Sequence, residues 1–259
     1  MYGVPMAGES ITREKVQDGI DRERLPRIAQ AAPDFYFLQN RGYPRAAALE
    51  WVGNRYGLTQ LERHLLHRGV FGQEIALRRR GRRCIGEDWG RGLLAVDAHN
   101  VHITVESAIL GRMLLLGNDG ALRDLAGQSA RFRLTEVSEL AQDWIFGFLR
   151  TFPPSRVLFL FDAPLSHSGL LAEQYRRRLK GIGLKGDSRA VPVPESEIPT
   201  VGCVAASSDQ AVIDRAEGWI DLARAAVEHA AALHLTADFT CLMDSRNPEA
   251  DLLQGFSLF

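Results

Sequence analysis

The amino-acid sequence predicts an α/β chain with a parallel sheet, preceded by a small all-α domain. Three observations carry this. From Gly92 onward, short runs that are apolar throughout alternate with helical stretches, as strands covered on both faces of a parallel sheet do. Between residues 25 and 71 the apolar residues recur instead at three- and four-residue steps. And three of the apolar strands run into aspartate, which puts acids at the sheet edge where α/β proteins bind ligands.

Residues 1–24, with Gly3, Pro5 and Gly8, read as an N-terminal arm, and residues 25–77 as the helical domain. Ile28, Ala32, Phe35 and Leu38 mark a first helix, Ala46, Leu49, Val52 and Tyr56 a second, Leu61 and Leu65 a third. Arg41-Gly42-Tyr43-Pro44 and Tyr56-Gly57-Leu58-Thr59 separate them, and Thr59 with Glu62 has capping-box spacing. The layout suits a helix-turn-helix or any small bundle, the bundle being the default. Residues 78–91 read as a linker. Arg78, Arg79, Arg80, Arg82 and Arg83 are too dense in like charge to pack in a core, so an exposed loop is expected, either a solvated hinge or an arm that contacts phosphates. The α/β domain then fills residues 92–259. Strands are expected at 92–96, 113–116, 157–161 and 202–206, with a short one at 190–193. Helices are expected up to Leu110, over 136–150 and 168–179, after Asp209, and as a last amphipathic helix over 219–232.

Composition sets the outer bounds. With 259 residues, 46% hydrophobic and 24% charged, the chain is globular, not collagen-like, coiled-coil or wholly disordered. The net charge of -1 hides segregation: residues 22–83 hold 13 basic against 5 acidic residues (+8), residues 187–259 hold 4 against 12 (-8). Neutrality therefore does not exclude a polyanionic partner. Of 31 basic residues 28 are arginine, which suits phosphate recognition but also follows from a GC-rich genome. Cys84, Cys203 and Cys241 lack paired spacing, so neither a disulfide framework nor a zinc site is expected. No signal peptide or membrane-length apolar run is read, so a cytoplasmic protein without membrane contact is expected.

The chemistry is sought where the strands end. Val96 precedes Asp97, Phe161 precedes Asp162, and Ala206 precedes Ser207-Ser208-Asp209. Carboxylates gathered at one edge repel and need a cation, and oxygen-only ligands favour Mg²⁺ or Mn²⁺, which activate water against phosphodiesters. A single aspartate after a strand is an N-cap by default; three, with Asn100 close behind the first, favour a site. Glu106 on the following helix either turns inward or is solvated, Asp214 is either a further ligand or a surface charge, and Asp119 and Asp124 read as turn residues. His99 and His102 are proton shuttles or helix-end hydrogen-bonders, His167 and Ser168 rim the expected pocket, and His229 and His234 read as structural. Cys84 beside the arginines is a weak candidate for a reactive thiol. No GxSxG, GxGxxG or GxxxxGK[ST] segment is present, which argues against a serine-hydrolase elbow and the usual nucleotide cradles.

The segments Val-Asp97-Ala-His-Asn100, Leu-Phe-Asp162-Ala-Pro and Ala-Ser-Ser208-Asp209-Gln-Ala-Val-Ile-Asp214 resemble the signature segments of PIN-like and NYN-type nucleases. Residues 41–45, 105–112 and 166–169 are similar to an uncharacterised prokaryotic family that joins an N-terminal domain of unknown function 434 to a PIN-like C-terminal domain. The resemblance implies a three-layer α/β/α domain and a ribonuclease with a Mg²⁺ or Mn²⁺ site. Asp97, Asp162 and Asp209 are its ligands, Asp214 a further metal ligand, and Asn100, Ser208 and Glu106 the supporting residues. RNA is the expected partner, held by the arginines at 78, 79, 80, 82 and 83, with DNA the other candidate. PIN-like domains often pair, so the apolar tail at 252–259 covers either a core or a second copy of the chain. Two further readings stay open: a nucleic-acid-binding module without chemistry, and a small phosphoester hydrolase.

Overall fold

The computed structural model describes residues 20–85, 88–125, 135–198, 204–235, 237–244 and 248–256. The expected arm thus lies outside the described residues as far as residue 19, as does Cys203.

The helical part is α1 (Leu25–Asn40), α2 (Arg45–Arg55), α3 (Gln60–Gly69) and α4 (Gln73–Arg82). Ile28, Ala32 and Phe35, the periodic residues of α1, are fully buried, as is Leu65 of α3. The expected capping box is formed: Glu62 N donates to Thr59 Oγ1 at 3.3 Å, and Thr59 N to Glu62 Oε2 at 2.7 Å. Glu62 also takes two hydrogen bonds from Arg24, at 2.6 and 2.8 Å, tying the start of α1 to the start of α3.

The α/β part comprises β1 (Leu93–Asp97), α5 (Ala98–Ile109), β2 (Leu114–Leu116), β3 (Leu122–Asp124), α6 (Glu136–Thr151), β4 (Arg156–Asp162) and α7 (Ser168–Gly181). It continues through β5 (Gly186–Val191), α8 (Pro194–Glu197), β6 (Val204–Ala206), α9 (Gln210–Arg215), β7 (Gly218–Ile220), α10 (Leu222–His229), β8 (Ala237–Asp238) and α11 (Pro248–Gly255). Five strands form a parallel sheet in the order β5-β4-β1-β6-β7. Because side chains alternate along a strand, Leu94 and Val96 join Phe159 and Phe161 against α5, α6, α7 and α10, while Ala95 joins Leu160, Ala205 and Trp219 against α9.

Several expectations are corrected here. The strand around Leu115 exists, but it leaves the parallel sheet: the turn at Gly120, whose φ of +87° suits glycine, reverses the chain into β3. β2 then heads a second sheet, β3-β2-β8. The helix expected over 219–232 as the last one is α10, begins at Leu222 and is followed by α11; Gly218–Ile220 is strand β7, and Asp221 caps α10 by accepting from Arg224 N at 2.9 Å. Most consequential, Arg78, Arg79, Arg80 and Arg82 lie in α4 and do not form a loop. Trp219 Nε1 donates to Arg79 O at 2.7 Å, and Arg83 forms a parallel bridge to Trp219, so the segment fastens to the outer strand of the sheet. Of the tail expected at 252–259, residues 257–259 lie outside the described residues, and Leu252 and Phe256 cover a core by packing with α1, α3 and the small sheet. Among the described residues no helix is long and apolar enough to cross a membrane.

Candidate functional site

In the order β5-β4-β1-β6-β7 the chain leaves β1 for one side of the sheet and returns to the other side as β6. The switch point therefore lies between β1 and β6, and crevices open there beyond the strand ends. Asp97 ends β1, Asp162 ends the neighbouring β4, and Ser207, Ser208 and Asp209 follow β6. Val96 lies opposite both Phe159 and Ala206, so the three acids leave the sheet on one edge.

A hydrogen-bond network spans the switch point. Ser207 Oγ donates to Asp97 Oδ2 at 2.9 Å and accepts from Asp209 N at 2.9 Å. Asn100 Oδ1 accepts from Ser208 N at 2.8 Å and Ser208 Oγ at 3.1 Å. Asp97 and Asp209 are also N-caps, accepting from Asn100 N (3.4 Å) and from Ala211 N (2.8 Å). Capping and site formation are thus combined. Arg123 fixes the far side of the loop by donating from Nε to Ser208 O at 2.9 Å.

Asp97 is 4% exposed, and burial pushes its carboxyl up to about 7, with the charges of Glu195 and Asp209 adding to the rise. Asp162 is raised as well, by burial and again by Glu195. Glu195, on the short helix α8 after β5, is the acid that sequence reasoning missed. Ser207, more central to the network than Ser208, was named only as part of a run. Among the described residues no group of three or more His, Cys, Asp or Glu side chains is arranged to enclose a metal ion.

Other expected site residues lie elsewhere. Asp214, expected as a metal ligand, is an ion-pair partner instead: Arg79 donates to it at 2.7 and 2.8 Å and Arg78 at 3.2 Å, and these arginines hold its carboxyl below the usual range. Glu106 accepts from Ser138 Oγ and shares a 3.1 Å hydrogen bond with His102, whose other ring nitrogen meets Tyr175 Oη at 2.8 Å. It therefore braces α5 against α6 and α7 and leaves the acidic edge without its support. His99 accepts from Asp162 N at 2.9 Å, and burial lowers its imidazole to about 4, so it positions the end of β4 as a neutral ring. Ser168 closes the turn after Asp162 by donating to Ala163 O at 3.2 Å.

The arginine run is largely paired within the molecule, although only Arg79 is buried and Arg78 stays exposed. Arg79, 3% exposed, also pairs with buried Asp119 at 2.8 Å, and Arg123 grips the same carboxylate at 2.7 and 2.8 Å. Those guanidiniums hold Asp119 below the usual carboxylate range although burial opposes it. A Cβ on Gly117 would come within 2.6 Å of Asp119 Oδ1 and 2.7 Å of Arg123 Nη1, so the clasp requires glycine there. Arg82 donates to Asp214 O and Ala216 O, Arg80 reaches Thr240 O and Asp244, and Arg83 lies over the Trp219 ring. The phosphate-contacting arm is corrected accordingly: the charges expected to repel one another out of the core find carboxylates and carbonyls from distant segments.

Helical and α/β parts, joined through α4, make a two-part chain with an acidic sheet edge. Residues 27–82 match a family described as a protein of unknown function, DUF434, and residues 87–225 match the domain of unknown function DUF5616. The second match spans more than half of the chain, which belongs to the DUF5616 family. The N-terminal match agrees with the resemblance read from residues 41–45. An uncharacterized protein of Methanocaldococcus jannaschii is 29% identical over 205 residues, covering 78% of this chain and 97% of its own length. No solved structure matches the chain.

Proposed function

We propose that this chain is a ribonuclease of PIN-like type that hydrolyses RNA phosphodiester bonds with Mg²⁺ or Mn²⁺ at its acidic edge. One observation carries the reading: Asp97, Asp162 and Asp209 leave adjacent parallel strands at the switch point, and the charges that act on Asp97 and Asp162 are themselves negative, from Glu195 and Asp209. An all-oxygen donor set with uncompensated charge suits a hard divalent cation. When bound, such a cation neutralises phosphate charge and acidifies water. Asp97, Asp162 and Asp209, with Glu195, would hold it. Ser207 and Asn100 orient the Asp97 and Asp209 carboxylates through the loop they share, and Arg123 keeps that loop against the sheet.

The test is a time course on labelled single-stranded RNA. Cleavage is expected with Mn²⁺, none in EDTA, and none from Asp97→Asn or Asp162→Asn; cleavage in EDTA, or full activity in Asp97→Asn, overturns the reading. A second reading, a nucleic-acid-binding protein without chemistry, is favoured by the lack of a closed three-residue metal cage among the described residues. Binding without cleavage at any Mn²⁺ concentration selects it, whereas turnover of mononucleotides but not RNA selects a small phosphoester hydrolase.

A further inference from the structure

Besides the paired arginines of residues 78–83, the helical part carries further cationic and exposed aromatic side chains. Helix α2 separates two recesses. Toward α3 lies one of about 450 Å³, lined by Arg45, Ala46, Leu49, Glu50, Arg63 and His67. Its guanidiniums are satisfied by neutral acceptors: Arg63 donates to Leu58 O, Glu50 O and Asn54 Oδ1, and Arg45 to Gln39 Oε1 and His67 O, while Arg45 Nε is buried without a partner. Two guanidiniums and one carboxylate, that of Glu50, thus line the recess, with the Arg45 guanidinium set over the Phe35 and Phe71 rings and a positive excess remaining. Its neighbours register it: Arg45, His64 and Arg68 add to burial in lowering the His67 imidazole, and Arg68 does the same to His64.

Toward α1 lies a recess of about 280 Å³ between Phe37, Leu38, Trp51 and Val52, rimmed by Asp34 and Arg55. Phe37 is 55% exposed, Trp51 53% and Tyr43 45%, an unusual concentration of open aromatic surface on two adjacent helices. Trp51 meets Tyr43 edge-on at 5.6 Å, and the Arg41 guanidinium lies over Phe37 at 5.1 Å. Flat π faces beside a recess with more guanidinium than carboxylate have the composition of a single-strand platform, which stacks bases and grips the backbone between them. A duplex keeps its bases stacked on one another and leaves such rings nothing to hold.

We propose that the α1–α2–α3 face binds single-stranded nucleic acid, with backbone phosphate in the Arg45–Arg63–His67 recess and bases on Trp51, Tyr43 and Phe37. This deepens the nuclease reading by naming where its substrate is held and in which form. Arg68 links the two places: it follows His67 on α3, is 3.8 Å from Asp124, and is attracted by Asp209 at the acidic edge.

The inference is tested by fluorescence anisotropy with short labelled single-stranded RNA in EDTA, so that cleavage plays no part. Trp51→Ala weakens binding by about tenfold or more, Trp51→Phe restores most of it, and His67→Glu weakens it while reducing the salt slope by about one. Tryptophan fluorescence is quenched on binding in the wild type and not in Trp51→Ala, since Trp89 and Trp219 are buried and the half-buried Trp144 packs on α6 against the core of the α/β part. Unchanged affinity in Trp51→Ala, or equal affinity for a duplex of the same sequence, overturns the inference, even if Asp97→Asn abolishes cleavage. Binding that Trp51→Ala weakens upholds it, whether or not the acidic edge proves catalytic.

Discussion

Two clusters of aspartates in this chain are built from the same residue type and meet opposite electrostatic fates. Asp119 is buried between Arg79 and Arg123, and Asp214 is gripped by Arg79 and Arg78; both carboxyls are held low. Asp97 and Asp162 find no such partner among the described residues, and each is pushed up by burial and by Glu195. The first cluster is closed by its own chain and fastens the helical part to the sheet. The second is met by further negative charge, from Glu195 and Asp209. The contrast teaches that an acid's position after a strand or on a helix does not assign its role; the identity of the charge facing it does.

The contrast is broken most forcefully at Asp119. Asp119→Ala leaves Arg79 and Arg123 buried without their shared acid, and removing one member of a buried ion pair costs about 3–5 kcal/mol. Urea denaturation should show a loss of that size; a loss under 1 kcal/mol would mean that the clasp contributes little. Asp97→Asn should act in the opposite direction. Its folded carboxyl titrates at about 7, well above an ordinary aspartate, so its contribution to stability is complete below about pH 4 and is lost as pH rises through about 7. In EDTA the variant should match the wild type near pH 4 and gain on it up to pH 8, by as much as about 4 kcal/mol. Parallel stability–pH curves for the two proteins would remove the claim of a strained carboxylate. The smallest effect is expected at Asp214, which is one-third exposed: Asp214→Asn should cost about 1 kcal/mol, because Asp119 continues to hold Arg79.

Much of this was legible in the sequence where the signal is local. The strands ending at Asp97 and Asp162 announce themselves as apolar runs stopped by an acid, and the Thr59–Glu62 box is a spacing that needs no tertiary knowledge. What stayed hidden depends on contacts distant in the chain. Arg79 meets Asp214 across 135 positions, so the arginine run reads as a repelling loop until its partners are in place. Strand β7 is three residues beginning at a glycine, too short for a period of two to separate it from the helix that follows. Glu195 sits on a four-residue helix beyond the edge strand β5, where neither periodicity nor an apolar strand stopped by an acid points to it. Of β2, the sequence shows an apolar run but not which sheet receives it.

The central proposal, that the acidic edge takes a divalent cation because no cationic side chain among the described residues pairs with Asp97 or Asp162, is tested most directly by calorimetric titration of Mn²⁺ into the wild type, Asp97→Asn and Asp214→Asn at pH 7.5. The account predicts binding with proton release in the wild type and in Asp214→Asn, and its loss in Asp97→Asn. Equal binding by all three proteins, or loss in Asp214→Asn alone, would contradict it.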